Sequence, residues 1–399
     1  MAAERNRLFR TRWIELTLVF LKLGAISYGG SAMLGIMHAE IVENRQWLTN
    51  ERYLNGIALV STLPGPPAVQ LAIFIGYQRA GWRGAVLTGL CFMLPGFFIL
   101  LGLTLLYSAY GSTGLVRDAL YGIGAVVLGI LAAAVFRLGK AALTGRAPIA
   151  IAVVAAILAA ITPVGIATIL LLAACAGVAL YDSRAKGLAG ALAVLGLFVL
   201  WQVLQPITIG TPSTDLSAVG EATRPSLWHL AGFFLKVSAL TFGGGLAIMA
   251  FVQEYVVNQM HWLTPREFLD GLALGQLTPG PTLMIAAYVG YQLAGLSGAV
   301  VSALCIFAPA FFLLLPLLPV LERFEHLGWI KAAMRGINPA VIGCLVVTLA
   351  QLLPHAAADN FGAVILVLSA LASAVWRVQP LPLIFGAGVL GVLVRLRPF

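Results

Sequence analysis

Residues 20–30 read FLKLGAISYGG, and residues 234–245 read FLKVSALTFGGG. The two stretches share Phe-Leu-Lys and a glycine step in the same order, displaced by 234 − 20 = 214 positions. Chance similarity between apolar segments would not preserve a lysine and paired glycines in register. Self-similarity at a fixed offset indicates an internal repeat, so we predict that the chain consists of two homologous halves.

Other landmarks repeat in the same order along both halves. Trp47-Leu48-Thr49 returns as Trp262-Leu263-Thr264, Pro64-Gly65-Pro66 as Pro279-Gly280-Pro281, and Gly76-Tyr77-Gln78 as Gly290-Tyr291-Gln292. A stretch rich in Pro, Thr, Ser and acids interrupts the apolar text near the middle of the chain. These features predict a first repeat over residues 1–204, a linker over residues 205–226 and a second repeat over residues 227–399.

The composition places the chain in a membrane. Of 399 residues, 60% are hydrophobic and only 10% are charged, far from the balance of a soluble protein. A bilayer core needs about 20 apolar residues per helix. We therefore predict an all-α polytopic membrane protein with about 12–13 transmembrane helices.

The net charge of +9 does not point to nucleic acid, because the basic residues lie singly between apolar runs, as positive-inside topology signals do. The arginine-rich amino terminus precedes a long apolar stretch without a cleavage site, which predicts an uncleaved first helix that starts in the cytoplasm. The four cysteines are scattered without CxxC spacing, so neither a metal site nor a cofactor is predicted.

Topology follows from the short apolar arms on either side of each Pro-Gly-Pro sequence. The arms are too short to span a bilayer alone, so they form either one broken helix or a re-entrant hairpin. Loop charges favour a crossing, since a hairpin after a first crossing helix over residues 13–37 would place Arg79 and Arg83 outside. Seven crossings in the first half, including residues 52–80, then make the two halves an inverted repeat.

Helix breaks in equivalent places of both halves are candidates for a substrate site. A broken membrane helix requires its backbone to be buried in protein or to line a polar cavity, and a helix that restarts there presents N–H groups and a positive dipole end to an anion. A packing kink is the alternative for each break. The candidate substrate-binding residues at these breaks are Gly29, Gly30, Gly243, Gly244, Gly245, Pro64, Gly65, Pro66, Thr278, Pro279, Gly280 and Pro281.

Lys22 and Lys236 lie about ten residues into matching helices, well inside the predicted bilayer. A lysine there costs about 2.5–3.5 kcal/mol. Snorkelling of the flexible side chain to the interface would explain one such lysine. Recurrence in both halves favours an anion-binding pair near the symmetry axis.

Three acidic residues are candidates for coupling or gating. Glu40 and Glu254 match at an offset of 214, near the far ends of their helices, and can relay protons or pair with a basic partner. An interfacial acid in water is the alternative for each. Asp270 matches Asn55, so any titration of Asp270 would be unequal between the halves.

These residues carry a resemblance to a known family. The order FLKLGAISYGG, WLT, LPGPPAVQ and IGYQRAG in the first half, and FLKVSALTFGGG, WLTPREFLDGLALGQLTPGP and YVGYQLAG in the second, resembles the long, two-domain form of the chromate ion transporter family. The resemblance covers nearly the whole chain. It implies a bacterial inner-membrane protein that exports chromate from the cytoplasm and confers chromate resistance, with sulfate as the natural analogue.

Several alternatives stay open from the residues alone. A carrier for uptake or exchange of sulfate or another oxyanion would use the same kinds of groups. A membrane-embedded enzyme is disfavoured because the chain has no DxxxD, HExxH or Walker motif, and two inverted halves favour alternating access over a passive channel. A homo-oligomer is compatible with the sequence, which does not fix the oligomeric state.

Overall fold

The computed structural model describes residues 2–28, 30–61, 63–111, 113–162, 164–208, 225–241, 247–318, 328–376 and 378–395. These residues are helical, with no strand among them, which confirms the predicted all-α fold. The linker prediction falls largely on residues 209–224, which lie outside the described residues.

The described residues of the first half form eight α-helices and a π-helical turn. They are α1 Ala2–Ile26, α2 Gly30–His38, the π-turn Ala39–Asn44, α3 Asn50–Val60, α4 Pro67–Tyr110, α5 Gly114–Ala142, α6 Arg146–Ile161, α7 Ile166–Tyr181 and α8 Arg184–Thr208.

The described part of the second half repeats this order up to the counterpart of α7. Its elements are α9 Leu227–Ala239, α10 Ala247–Val252, the π-turn Gln253–Gln259, α11 Pro265–Leu277, the 3-10 turn Thr282–Met284, α12 Ile285–Leu317, α13 Gly328–Ala356, α14 Asn360–Val375 and α15 Pro380–Arg395.

Helix α4 is a hairpin of two antiparallel arms. Its backbone leaves helical geometry at Gly81, where φ is +67°. The Thr88 hydroxyl donates a hydrogen bond of 2.8 Å to the carbonyl of Ala72, although sixteen residues of straight helix would separate the two by about 24 Å. The first arm therefore covers residues 67–80 and the second arm residues 82–110.

Glycines let the two arms touch. A Cβ on Gly76 would overlap the carbonyl of Gly84 in the opposite arm. Helix α12 has the same construction, because a Cβ on Gly290 would overlap the carbonyl of Gly298 and the chain turns at Gly295 with φ +62°.

Each Pro-Gly-Pro sequence is the tip of another hairpin. A Cβ on Gly56 in α3 would lie 2.6 Å from the ring of Phe74 in the first arm of α4. At the other end of this segment, the Arg79 guanidinium lies 4.9 Å from the centroid of the Trp47 ring. The segment thus returns to the end from which it came. The predicted helix break is confirmed, but the prediction that residues 52–80 cross the membrane is wrong.

Helix α1 is also followed by a reversal. Arg45 Nη1 lies 2.9 Å from Glu15 Oε1, thirty positions away, and Lys22 Nζ lies 3.6 Å from Glu40 Oε2. Helix α2 and its π-turn therefore run back alongside α1, and the predicted continuous helix over residues 13–37 is wrong. The two hairpins of the first half therefore begin and finish at the same end of the molecule, which we call the entrance of the first half. The corresponding end of the second half's hairpins is the entrance of the second half.

The hairpins of the two halves approach the middle of the molecule from opposite ends. The second arm of α4 starts next to Arg79 and reaches the second Pro-Gly-Pro at its midpoint, where a Cβ on Gly96 would lie 2.7 Å from the carbonyl oxygen of Pro279. Near its end, the Tyr107 hydroxyl donates a hydrogen bond of 3.0 Å to Asp270, ten residues before that tip in α11. This one arm links the two entrances, which therefore lie at opposite ends.

The other helices are exchanged between the halves. Helix α5 packs against α14 and α15, whereas α13 packs against α6 and α7. Gly122 touches Gly391, and the matching Gly336 touches Gly177. Reciprocal contacts of this kind are those that a two-fold axis produces, so the halves are related by approximate two-fold symmetry and are intertwined.

The molecule has the hydrophobic length of a multi-pass membrane protein. Among the described residues, four helical segments are long and apolar enough to cross a bilayer. They are Pro67–Tyr110, Gly114–Ala142, Thr282–Pro316 and Gly328–Ala356. The first and third contain the turns at Gly81 and Gly295, so their second arms supply the spanning length.

Candidate functional site

The tips of the four hairpins meet in the middle of the molecule. The Gly280 N–H donates a hydrogen bond of 2.7 Å to the Ser27 carbonyl, and the Gly65 N–H donates one of 2.8 Å to the Thr241 carbonyl. Each bond joins a Pro-Gly-Pro tip of one half to the break that ends the first hairpin arm of the other half. We refer to Ser27, Gly65, Thr241 and Gly280, with their flanking residues, as the tip cluster.

Glycine is required at both Pro-Gly-Pro tips by the backbone itself. Gly65 has φ +117° and Gly280 has φ +105°, a region that residues with a Cβ rarely adopt. The N–H groups of these two glycines were candidates to face an anion, but both donate across the cluster instead. The N–H groups that open the α4 helix therefore start at Ala68, because Pro66 and Pro67 have none.

The tip cluster is closed in this structure. Ser27, Gly65, Pro66 and Thr241 are buried, and only Pro64 of the first Pro-Gly-Pro is partly exposed. Residues 278–281 of the second tip are buried as well.

Two of the hydroxyl groups at the tips are engaged with their own helices. The Thr241 hydroxyl donates to the carbonyl of Val237 at 2.6 Å, and the Thr278 hydroxyl donates to the carbonyl of Leu274 at 2.8 Å. This is the local alternative to substrate binding for threonines near a helix end.

Two other buried side chains at the tips keep an unpaired polar atom. Ser27 and Gln70 are both 0% exposed, and neither Ser27 Oγ nor Gln70 Oε1 has a hydrogen-bond partner among the described residues. Sequence reasoning missed Gln70. Its signal was the comparison of the repeats, since LPGPPAVQ has glutamine at the position where the second half has Ile285.

The two predicted substrate lysines lie on hairpin arms and are exposed. The Lys22 side chain is 59% exposed and its ammonium group lies 3.6 Å from Glu40 Oε2. Lys236 is exposed on α9. The structure brings neither ammonium group into the tip cluster, and their role in binding stays a prediction.

Glu40 joins a charged network at the entrance of the first half. Besides Lys22, it accepts a hydrogen bond of 2.7 Å from Arg45 Nε, and the other side of Arg45 binds Glu15 at 2.9 Å. The carboxylate is only 14% exposed. Glu40 thus ties the two arms of the first hairpin together, as a gating residue with a basic partner would.

Glu254 has a different environment from its counterpart. It accepts hydrogen bonds from Asn258 at 2.8 Å and Gln259 at 3.1 Å. Amide donors thus satisfy the carboxylate where Glu40 has cations. Asn258 also donates to Gln351 of α13, which connects this entrance to the exchanged helices.

Asp270 lies in a buried polar cluster at the entrance of the second half. One carboxylate oxygen accepts from Tyr107 at 3.0 Å, and the other lies 3.5 Å from Arg266 Nε. The Tyr288 ring packs against the Tyr107 ring at an interplanar angle of 59°, with ring centroids 5.9 Å apart. The side chain links the second half's hairpin to the second arm of α4, and its coupling or gating role stays a prediction.

Part of the predicted site cannot be placed. Gly29, Gly243, Gly244 and Gly245 lie outside the described residues, whereas Gly30 is the first residue of α2.

Comparison with known proteins gives consistent matches. A family model described as Chromate transporter matches residues 14–180 and again residues 228–392. A chromate transport protein of Cupriavidus metallidurans is 34% identical over 339 residues, which cover 83% of this chain and 80% of that protein. A chromate transport protein of Pseudomonas aeruginosa is 32% identical over 346 residues, which cover 84% of this chain and 79% of that protein. No solved structure matches the chain.

Proposed function

Because this chain belongs to the chromate transporter family, we propose that it is a secondary transporter that exports chromate from the cytoplasm of a bacterium and thereby confers chromate resistance. The names of the relatives support chromate as the transported ion. They also support a carrier without enzymatic activity.

The tip cluster is the proposed binding site. The observation that carries the proposal is the pair of reciprocal hydrogen bonds from Gly280 to Ser27 and from Gly65 to Thr241. Interrupted helices at membrane depth are tolerated where they are buried in protein or line a cavity, and helix ends in such a place suit a small anion. Lys22 and Lys236, five residues before the two breaks, would attract the anion on its way to the cluster.

The charges support an orientation with the amino terminus in the cytoplasm of an inner-membrane protein. The entrance of the first half carries Arg45, Arg79 and Arg83, and the alternation of α5, α6 and α7 brings Lys140 and Arg184 to the same end. Basic residues collect on the cytoplasmic side. The two-fold axis then lies in the membrane plane, and the repeat is inverted.

Alternating access cannot be a rocking of one sequence half against the other, because α5 and α13 pack within helices of the opposite half. We propose instead that the hairpin arms move relative to one another and to the second arms of α4 and α12, while the two exchanged bundles stay in place. Opening toward the cytoplasm would separate the arms tied by Glu40, and opening outward would separate Asp270 from Tyr107.

The membrane potential alone can drive export. Moving an anion outward down an inside-negative potential of 100 mV is worth about 2.3 kcal/mol for each negative charge, or about 4.6 kcal/mol for a dianion. An obligatory coupling ion is therefore not required.

Chromate flux into everted membrane vesicles tests this function, with the potential imposed or collapsed and with vesicles lacking the protein as the control. We expect chromate accumulation that an inside-positive potential in the everted vesicle increases. Absence of any flux in correctly inserted protein would reject chromate export.

Uptake or exchange of sulfate or another oxyanion is the second candidate, because Lys22, Lys236 and the helix ends recognise charge and shape more than the central atom. Right-side-out vesicles separate the two candidates. Sulfate accumulation there without chromate export in everted vesicles would favour the uptake carrier.

A further inference from the structure

The first Pro-Gly-Pro tip has a feature that its repeat lacks, which is a buried hydrogen-bond acceptor. Gln70 is 0% exposed, and its Nε2 donates a hydrogen bond of 2.6 Å to the carbonyl of Pro64. A Cβ on Gly65 would lie only 2.9 Å from Gln70 Nε2, so the amide lies directly against the tip. The repeat has Ile285 at this position.

The orientation of the amide follows from chemistry. A carbonyl oxygen accepts hydrogen bonds only, so the Gln70 group that faces Pro64 must be the NH2 group. The remaining atom, Oε1, is buried and has no partner among the described residues. An unsatisfied buried acceptor is costly, so a donor is expected to occupy this place when the tips separate and an ion enters.

The surroundings of this acceptor favour an anion that carries a proton. The N–H groups at the start of α4, from Ala68 onward, and the positive end of the helix dipole stabilise negative charge. A lone-pair acceptor at the same tip repels a fully deprotonated oxyanion but accepts a hydrogen bond from an O–H group. The two requirements together describe a singly protonated oxyanion.

We propose that the transporter binds chromate as the hydrogenchromate ion, with Gln70 Oε1 accepting its O–H, and that this contact discriminates against sulfate. Chromate takes up a proton near neutral pH, whereas sulfate does so only in strong acid. Sulfate and selenate would therefore enter the site without a proton and place oxygen lone pairs against Gln70. The proposal rests on the proposed function and specifies the ion that the tip cluster selects.

Competition at a single fixed pH tests the proposal and keeps it separate from any coupling of transport to protons. Chromate flux into everted vesicles is measured against rising concentrations of two proton-free anions, sulfate and selenate, and two proton-bearing anions, phosphate and arsenate. In the wild-type protein we expect phosphate and arsenate to inhibit chromate flux at concentrations at least about tenfold lower than those needed of sulfate and selenate.

Gln70→Met removes the acceptor with little change in volume. We expect sulfate and selenate to improve as competitors relative to phosphate and arsenate by about tenfold in this variant. Ile285→Met at the equivalent position of the second half is the matched control and leaves the wild-type order of inhibitors. If Gln70→Met does not insert, the wild-type competition series decides alone.

Equal inhibition by the two pairs of anions in the wild-type protein would overturn the proposal, as would an unchanged ratio in a folded Gln70→Met variant. Absence of chromate flux in the wild-type protein would instead reject the proposed function. The two failures are thus distinguishable in one experiment.

Discussion

The entrances of the two halves have the same backbone and different chemistry. At the first, Glu40 is held by Lys22 and Arg45. At the second, the matching Glu254 is held by the amides of Asn258 and Gln259. The difference indicates that two-fold symmetry is preserved in the helices, where packing requires it, and is lost in the polar groups that would control access from each side.

A second acid also differs between the halves, and here it is the second half that has the charged contact. Asp270 at the second entrance has Tyr107 and Arg266 as partners, whereas the first half has the neutral Asn55 at the matching position. Each half thus has one carboxylate that contacts another arm, Glu40 through the cation of Lys22 and Asp270 through the hydroxyl of Tyr107.

The largest effect is expected where the second Pro-Gly-Pro tip lies directly against the second arm of α4. Gly96→Ala places a methyl group 2.7 Å from the carbonyl oxygen of Pro279, which the backbone cannot accommodate without moving the tip. We expect chromate flux to fall by more than about tenfold.

Gly102→Ala in the same arm is the control, because nothing lies within 4 Å of its Cβ position. Flux is expected to stay close to that of the wild-type protein. Equal flux in the two variants would contradict the seating of Gly280 against α4.

A second prediction addresses the acid that only one half contains. Asp270→Asn keeps the volume but removes the charge that faces Arg266, leaving a half-buried cation with a weaker partner. We expect a loss of about 1–3 kcal/mol of stability and a clear loss of flux, measured as thermal unfolding in detergent and as vesicle transport.

Asn55→Asp is the matched variant of the first half. It introduces a carboxylate without the partners of Asp270. We therefore expect the double variant, Asn55→Asp with Asp270→Asn, to transport no better than Asp270→Asn alone. Full transport by the double variant would show that the position of the acid is interchangeable between the halves.

The sequence allowed prediction of the repeat, the all-α fold and both Pro-Gly-Pro breaks, because lysine, glycine and proline keep their order in an apolar text. It did not reveal the reversal after Ile26, and it favoured a crossing over the hairpin at Pro64-Gly65-Pro66. A hydrophobic segment predicts burial in an apolar medium but not the direction of the chain. The two arms of a hairpin are as apolar as the two ends of a straight membrane helix.

The candidate site was predicted in part for the same physical reasons. Gly65 and Gly280 could be identified from the breaks, but the pairing of their N–H groups depends on contacts between the halves. Gln70 was missed because one glutamine in a helix is uninformative until its burial and partners are known.

A third prediction compares the two lysines. Lys22 is neutralised by Glu40, whereas Lys236 forms no salt bridge among the described residues. If lysines attract the anion, Lys236→Gln should lower flux at subsaturating chromate by about tenfold and Lys22→Gln by only severalfold. Unchanged flux in the double variant, with normal insertion, would remove both lysines from the mechanism.

The smallest effect is expected from the exposed ion pairs. Glu15→Gln removes one partner of Arg45, but Glu40 still binds this arginine. The expected cost is about 0–1 kcal/mol, seen as a small shift in thermal unfolding. A larger shift in the midpoint of thermal unfolding than that of Asp270→Asn would show that the exposed ion pairs stabilise the protein more than the buried acid does.

The most direct test of the central claim, that paired hairpins enter from opposite sides, is labelling of single cysteines with a membrane-impermeant maleimide. The four native cysteines are replaced by alanine, and Glu51→Cys and Met260→Cys are labelled in intact cells and in everted vesicles. Both positions are exposed. The hairpin arrangement predicts that residue 51 reacts only from the cytoplasmic side and residue 260 only from outside. Reaction of residue 51 from outside and residue 260 from the cytoplasm would contradict the account, because that is the result for Pro-Gly-Pro segments that cross the membrane.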